Sequence, residues 1–139
     1  MFVKSKVDYA AYGPDIRIIK DGVYLVFAIE IDQGVASFFA LPAGYEVTEQ
    51  SMPDPLFYPA EIFDVIEDRI SSTWKTETIE LPHRNVTYVS FPEWFENTFY
   101  IRGHDWDFDD DDYVIMKKYI KEYQKVYADL LARTRRVEL

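Results

Sequence analysis

The chain has 139 residues, of which 48% are hydrophobic and 17% aromatic, so it can bury a sizeable core, and we expect one domain spanning residues 1–139. Its formal net charge of −10 disfavours direct binding of nucleic acid, because acidic groups repel phosphates, and it favours a basic protein partner. The absence of cysteine excludes disulfides, thiolate metal sites and thiol nucleophiles.

The N-terminal segment carries charge within its first eight residues, and no long apolar stretch follows it. This pattern predicts neither a secretory signal nor a membrane-spanning segment. Together with the lack of cysteine, it leads us to expect a cytoplasmic protein that does not bind membranes.

The first predicted elements are β-strands. Residues 2–9 are expected to form an outer strand, since their lysines suit a sheet edge. Turn-forming Asp21-Gly22 and Gln33-Gly34 separate three runs that we predict to pair as an antiparallel meander, namely 16–20, 23–32 and 35–41.

The middle of the chain predicts a connection, a short helix and a hairpin. Residues 42–59 contain four prolines and read as a long surface connection. Apolar side chains recur at helical spacing over 60–70, which predicts a short helix with Ile62, Phe63, Ile66 and Ile70 on one face. Residues 74–81 and 86–91 predict a second hairpin around the turn 82–85.

The C-terminal third predicts helix. Residues 93–102 are expected to form a helical turn followed by extended chain. Apolar and aromatic residues at steps of three and four then predict one amphipathic helix over 113–136, with Met116, Ile120, Tyr123, Tyr127 and Leu130 against the sheet. Acids 109–112 and Arg133, Arg135 and Arg136 complement the dipole at its two ends. The predicted fold is therefore α+β, with a meander and a second hairpin packed against a short helix and this long helix.

Acidic residues within the predicted short helix form the first candidate binding surface. Glu61, Asp64 and Asp68 recur at i, i+3 and i+7 with Glu67 beside them, opposite the apolar face. No base lies four residues after any of them, so the like charges would cost the helix a few tenths of a kcal/mol per pair, roughly. The pattern suits either ordinary solubility or capture of a basic partner.

The second candidate is the aspartate-rich segment 104–112, where Asp105 and Asp107 flank Trp106. Aligned with a calcium-binding loop, it has Asp110 where glycine is required and Met116 where the terminal glutamate is required. We therefore interpret it as an acidic helix cap or a partner-binding loop. A metal site using these aspartates with His104 and the distant His83 is the weaker alternative.

Catalytic motifs are lacking from the sequence. There is no Gly-x-Ser-x-Gly elbow, no glycine-rich phosphate loop and no helix-spaced histidine pair. We expect neither enzymatic activity nor a cofactor.

The charge distribution supports the leading hypothesis. Residues 1–112 carry 22 acids against 8 bases, net −14, whereas residues 113–139 carry 3 acids against 7 bases, net +4. We expect a small acidic protein-binding module, such as an immunity or inhibitor protein that blocks a basic surface of a nuclease toxin or another nucleic-acid-handling protein. The alternatives are a metal-dependent enzyme using the aspartate-rich loop, and a structural or scaffold subunit that assembles through its C-terminal helix.

Overall fold

A computed structural model describes residues 1–10, 17–41, 55–68, 73–96 and 110–126. The described residues include seven antiparallel strands, a 3₁₀ turn at Ala60–Ile62 and two α-helices. The strands are β1 (Phe2–Ser5), β2 (Val23–Asp32), β3 (Val35–Ala40), β4 (Leu56–Pro59), β5 (Phe63–Glu67), β6 (Lys75–Glu80) and β7 (Asn85–Ser90), and the helices are α1 (Pro92–Glu96) and α2 (Asp110–Val126). The predicted α+β class is confirmed.

The ten-residue strand β2 organises the sheet. Its first part pairs with β1 over Val23–Leu25, and its second part pairs with β7 over Ala28–Asp32 and with β3 over Val26–Asp32. The strand order is β4-β3-β2-β1-β5, and β6 extends the sheet beyond β7. Within the described parts of the chain, β4, β5 and β6 therefore have a strand neighbour on one side only.

The hairpin that joins β2 to β3 is the one predicted from local turn chemistry. Asp32 lies opposite Val35, and the two residues between them, Gln33 and Gly34, have φ angles of 51° and 79°. Two consecutive positive φ angles are what a type I′ turn requires, and its twist matches that of the flanking strands.

The first strand of the predicted meander is wrong. Residues 17–20 do not form a continuous strand: Arg17 and Ile18 are in β-bridges, and the partner of Ile18 is Tyr9. The turn closes one residue earlier than expected, because Gly22 N–H donates to Ile19 O at 2.9 Å and only Asp21 has a positive φ. This geometry does not align the run with β2.

Strand β1 takes the predicted strand's place beside β2. We expected residues 2–9 at the outside of the sheet, but β1 lies between β2 and β5, with Phe2 and Val3 fully buried. The apolar side chains of the first residues outweigh the edge signal of their lysines, since burying each of them contributes roughly 1.5–3 kcal/mol.

The helix predicted over residues 60–70 is also wrong. A three-residue 3₁₀ turn at Ala60–Ile62 leads directly into β5, which pairs with β1. β-branched Val65 and Ile66 suit a strand, and the pairing with β1 supplies hydrogen bonds that an isolated helix of this length would have to supply alone.

The second hairpin and the turn after it agree with the sequence prediction. β6 and β7 pair from Lys75–Ser90 to Glu80–Asn85, and Leu81 N–H donates to Arg84 O at 2.8 Å to close the loop. Pro92 ends the strand and begins α1, which covers the first part of the predicted helical turn.

Helix α2 begins at Asp110, three residues before the predicted start, and is described to Val126. Met116 and Ile120 are buried as predicted, and Tyr119, which the sequence pattern did not include, is buried with them. The Tyr119 ring stacks on Phe91 at 3.8 Å between centroids, and this contact holds the helix against the end of β7. Of the predicted apolar face, the side chain of Tyr123, together with Tyr127 and Leu130, lies outside the described part, as do the three arginines.

An aromatic cluster forms the centre of the core. Phe91 contacts Phe27, Trp74 and Trp94 at centroid distances of 6.2, 5.6 and 4.9 Å. The Trp94 indole N–H donates to Asp112 O at 3.4 Å, so the buried ring has a polar partner at the start of α2. Trp94 is thus a core residue.

Candidate binding surface

Strand β5 and the residues on either side of it place four acidic side chains at one end of the sheet. Glu61, Asp64 and Asp68 are exposed, and Glu67 is half-buried. We call these four residues the acidic edge. Because a strand rises about 3.3 Å per residue, Asp64 and Asp68 are separated by about 13 Å along the chain. The helical i, i+3, i+7 arrangement predicted for them does not exist, yet the segment still presents its carboxylates to solvent.

A β-bulge sets the direction of these side chains. In the β1–β5 register Lys4 faces Asp64 and Val3 faces Val65, but Phe2 faces Glu67. One extra β5 residue is therefore accommodated between Val65 and Glu67. Such bulges increase the local twist, and here the bulge separates Asp64 from Glu67 and Asp68.

Two exposed apolar residues lie within the acidic edge. Val65 is 49% exposed and Ile66 is 39% exposed, although both are in the middle of a strand. Val7 is exposed nearby, next to Lys6, whose N–H donates to Ile62 O at 2.8 Å. An apolar centre surrounded by charged groups is the usual anatomy of a protein-binding surface.

Cations offset part of the negative charge. Lys4 lies opposite Asp64 in the register and is 3.8 Å from Asp21 at its ammonium nitrogen. Both partners of that ion pair are largely exposed, so its contribution to stability is small. Burial of the Met1 α-amine lowers its pKa to about 4. The negative charges of Glu67 and Asp68 act in the opposite direction, but their effect is smaller. The α-amine is therefore uncharged near neutral pH and does not balance these two carboxylates.

The second predicted binding segment, with Asp105, Trp106 and Asp107, lies outside the described residues. Its relation to the acidic edge stays a prediction. His83 is exposed in the loop between β6 and β7. Across the described ranges, no three His, Asp or Glu side chains are grouped so that they could hold a metal ion.

A polar network on β2 and β7 was missed by the sequence analysis. The Tyr88 hydroxyl donates to Glu30 Oε2 at 3.0 Å, and Arg84 Nε lies 2.9 Å from Asp32 Oδ2. Burial raises the pKa of Glu30 in spite of the bond from Tyr88, and burial together with the Glu30 charge raises the pKa of Tyr88. Strand alternation, which places Glu30 and Asp32 on one face of β2, was the available signal.

This network binds two strands together. Glu30 lies directly opposite Tyr88, and Asp32 lies opposite Val86, one residue from the loop that carries Arg84. Cross-strand polar pairs of this kind fix the register of the hairpin against β2. The second Asp32 carboxylate oxygen is buried without a hydrogen-bond partner in the described structure.

A basic surface lies on the outer side of α2. Val114, 64% exposed, is followed on the same side of the helix by four lysines, and the group lines a shallow groove together with Glu122. We call this group the basic stripe: Val114, Lys117, Lys118, Lys121 and Lys125. Lys118 Nζ is bonded to Glu93 Oε1 at 3.0 Å, so part of the charge is neutralised within the domain.

Comparison with known proteins adds no assignment. The chain matches no protein-family model, and no match to it was found among curated proteins or solved structures. None of the described helices combines the length and the apolar composition needed to cross a membrane.

Proposed function

We propose that this chain is a small acidic protein-binding module that uses the acidic edge to occupy a basic surface of another protein. The observation that carries the proposal is the exposure of Val65 and Ile66 between Asp64 and Asp68 on a strand at the end of the sheet. Apolar side chains that face water gain free energy when a partner covers them, at roughly 25 cal/mol per Å². The flanking carboxylates select a cationic partner.

Electrostatic steering provides the mechanism. A net charge of −10 attracts a cationic protein over about one Debye length, which is roughly 8 Å at physiological salt. The carboxylates of the acidic edge then take the place of phosphates on the partner's cationic surface. This chemistry suits an immunity or inhibitor protein that blocks a nuclease toxin or another nucleic-acid-handling protein, and it needs neither a catalytic residue nor a cofactor. We propose the cytoplasm as its compartment.

The test is a triple charge reversal, Glu61→Lys, Asp64→Lys and Asp68→Lys. Proteins captured from a native host lysate by the parent chain are identified by mass spectrometry, and the affinity of the purified partner is measured at two salt concentrations. The variant should fold, bind its partner at least about tenfold more weakly, and lose most of the salt dependence of binding.

The matched control reverses three exposed acids elsewhere on the described surface, Glu80, Glu96 and Glu122. Both triple variants have the same formal net charge, so any difference between them reports the position of the charges. Equal weakening by the two variants would mean that only net charge matters. Unchanged binding by the first variant would refute the acidic edge as the binding surface.

One observation favours a second candidate, the scaffold subunit. Val114 is the large apolar side chain with the highest exposure, apart from Val35 in the β2–β3 hairpin, among those of the described residues. A subunit that assembles through α2 would cover it. Sedimentation at several concentrations distinguishes the candidates, because only the scaffold requires a mass that rises with concentration.

A further inference from the structure

Three strands, β4, β5 and β6, each have an unoccupied side within the described part of the sheet, and β5 differs from the other two. β4 has four residues and ends in a proline, which cannot donate to a ladder. β6 exposes threonines, and its Glu77 is neutralised by Lys75 at 2.9 Å. β5 exposes Val65 and Ile66 between carboxylates.

Two sets of contacts show which backbone groups of β5 point towards β1 and which point away from it. Lys6 N–H donates to Ile62 O at 2.8 Å, whereas Ser5 exchanges both backbone bonds with the turn before β2, donating to Gly22 O and accepting from Asp21 N–H. Bonded and non-bonded pairs alternate in an antiparallel ladder. Phe63, which lies opposite Ser5, therefore directs its N–H and C=O away from β1, and so does Val65, two residues later. The Phe63 N–H donates to Ala60 O within the 3₁₀ turn, so the outward groups that a further strand can use are the Phe63 C=O and the N–H and C=O of Val65.

We infer that the basic partner contributes an extended segment that adds to β5 as a further antiparallel or parallel strand, bonded to the C=O of Phe63 and to the N–H and C=O of Val65. This inference rests on the proposed function and specifies how the partner is held. Strand addition is a recurrent mode of peptide recognition, in which the main chain supplies affinity and alternate side chains supply specificity. The bulge after Val65 confines the regular edge to Phe63–Val65, so the added ladder is short.

The side chains of β5 determine which sequence fits. Directly opposed residues on paired strands share a face of the sheet. The residue of the added strand that lies opposite Asp64 would contact its carboxylate. The next residue of that strand, opposite Val65, would contact an exposed isopropyl group. The segment that complements this edge alternates basic and apolar residues.

The experiment uses the full chain and a ten-residue peptide of alternating Lys and Val, with a second peptide that is N-methylated on alternate amides along one edge. The plain peptide should bind and should slow hydrogen exchange at the Val65 amide. The N-methylated peptide should bind about tenfold more weakly, because it cannot complete the ladder.

Val65→Pro removes one outward N–H and leaves the bonds to β1 in place, since proline is tolerated at such positions of edge strands. It should weaken peptide binding about tenfold. Its matched control is Thr76→Pro on β6. Leu81 N–H bonds to Arg84, so the same alternation places the Thr76 N–H on the outer side of β6. This control should bind the peptide like the parent.

The outcomes separate this inference from the proposed function. Absence of binding, binding without protection of the Val65 amide, or equal affinity for the two peptides would overturn strand addition. If the triple charge reversal still weakens capture of the native partner in that case, the proposed function stands, and the acidic edge binds the partner through its side chains without an added strand. Should Val65→Pro fail to fold, hydrogen exchange in the parent chain and the N-methylated peptide decide the question.

Discussion

The phenol of Tyr88 donates a 3.0 Å hydrogen bond to Oε2 of Glu30, the residue directly opposite it on the neighbouring strand. Tyr88 is buried and Glu30 is half-buried, and burial is the main cause of the raised pKa of the Glu30 carboxyl. Asp32 raises that pKa further, while Tyr88 and Arg84 oppose the shift. The folded chain consequently binds the Glu30 proton more tightly than the unfolded chain does.

The first prediction concerns the pH dependence of stability. A carboxyl whose folded pKa is raised contributes stability that is fully present below its unfolded pKa of 4.5 and is lost as the pH rises through the folded pKa. Glu30→Gln removes this titration but keeps an acceptor for Tyr88. Urea unfolding of the parent and the variant from pH 4 to 8 should show the parent losing stability relative to Glu30→Gln as the pH rises. A constant difference would contradict the raised pKa.

The second prediction concerns the β2–β3 turn. Gln33 adopts a φ of 51°, a left-handed conformation that asparagine tolerates better than glutamine. Gln33→Asn should therefore stabilise the domain by about 0.5 kcal/mol, whereas Gly34→Ala should destabilise it by about 1 kcal/mol. Thermal melting should show shifts of opposite sign, of about 3 °C per kcal/mol. Shifts of the same sign would show that the turn changes type on mutation.

The two hairpins were predictable because local chemistry determines them. Gln33-Gly34 and the loop before Asn85 act on residues adjacent in sequence, so no knowledge of distant partners was needed. The position of β1 depends instead on pairing between Phe2 and Leu25, and between Val3 and Val65. No local pattern specifies which strands a run of residues will join.

The acidic edge shows the same division between local and distant information. Its composition was read from the sequence, and Glu61, Asp64 and Asp68 are exposed as expected. The geometry of the acidic edge could not be read from the sequence, because Ile62, Phe63 and Ile66 fit helical spacing as well as they fit a bulged strand. The pairing with β1 decided between the two, and β-branching at Val65 and Ile66 was the signal that could have favoured the strand.

The third prediction tests the aromatic centre of the core. Phe91 is fully buried and contacts four other aromatic rings, including the stacked ring of Tyr119. Phe91→Ala should cost about 3–5 kcal/mol, since it removes a large ring from a close-packed site. Near-ultraviolet circular dichroism should lose intensity in the same variant. A loss of less than about 1 kcal/mol would mean that the surrounding rings collapse into the space.

The last prediction concerns how α2 is held. Ile120 is fully buried, whereas Val114 on the same helix is 64% exposed, so the two β-branched residues sample opposite environments. Ile120→Ala should cost about 2–5 kcal/mol, because it leaves a cavity beneath the helix, while Val114→Ala should change stability by less than about 0.5 kcal/mol. Chemical unfolding of both variants at a protein concentration low enough to keep the chain monomeric measures the difference. Similar losses of unfolding free energy in the two variants would mean that Val114 is in a contact. If the loss for Val114→Ala grew with protein concentration, that contact would be self-association through the basic stripe.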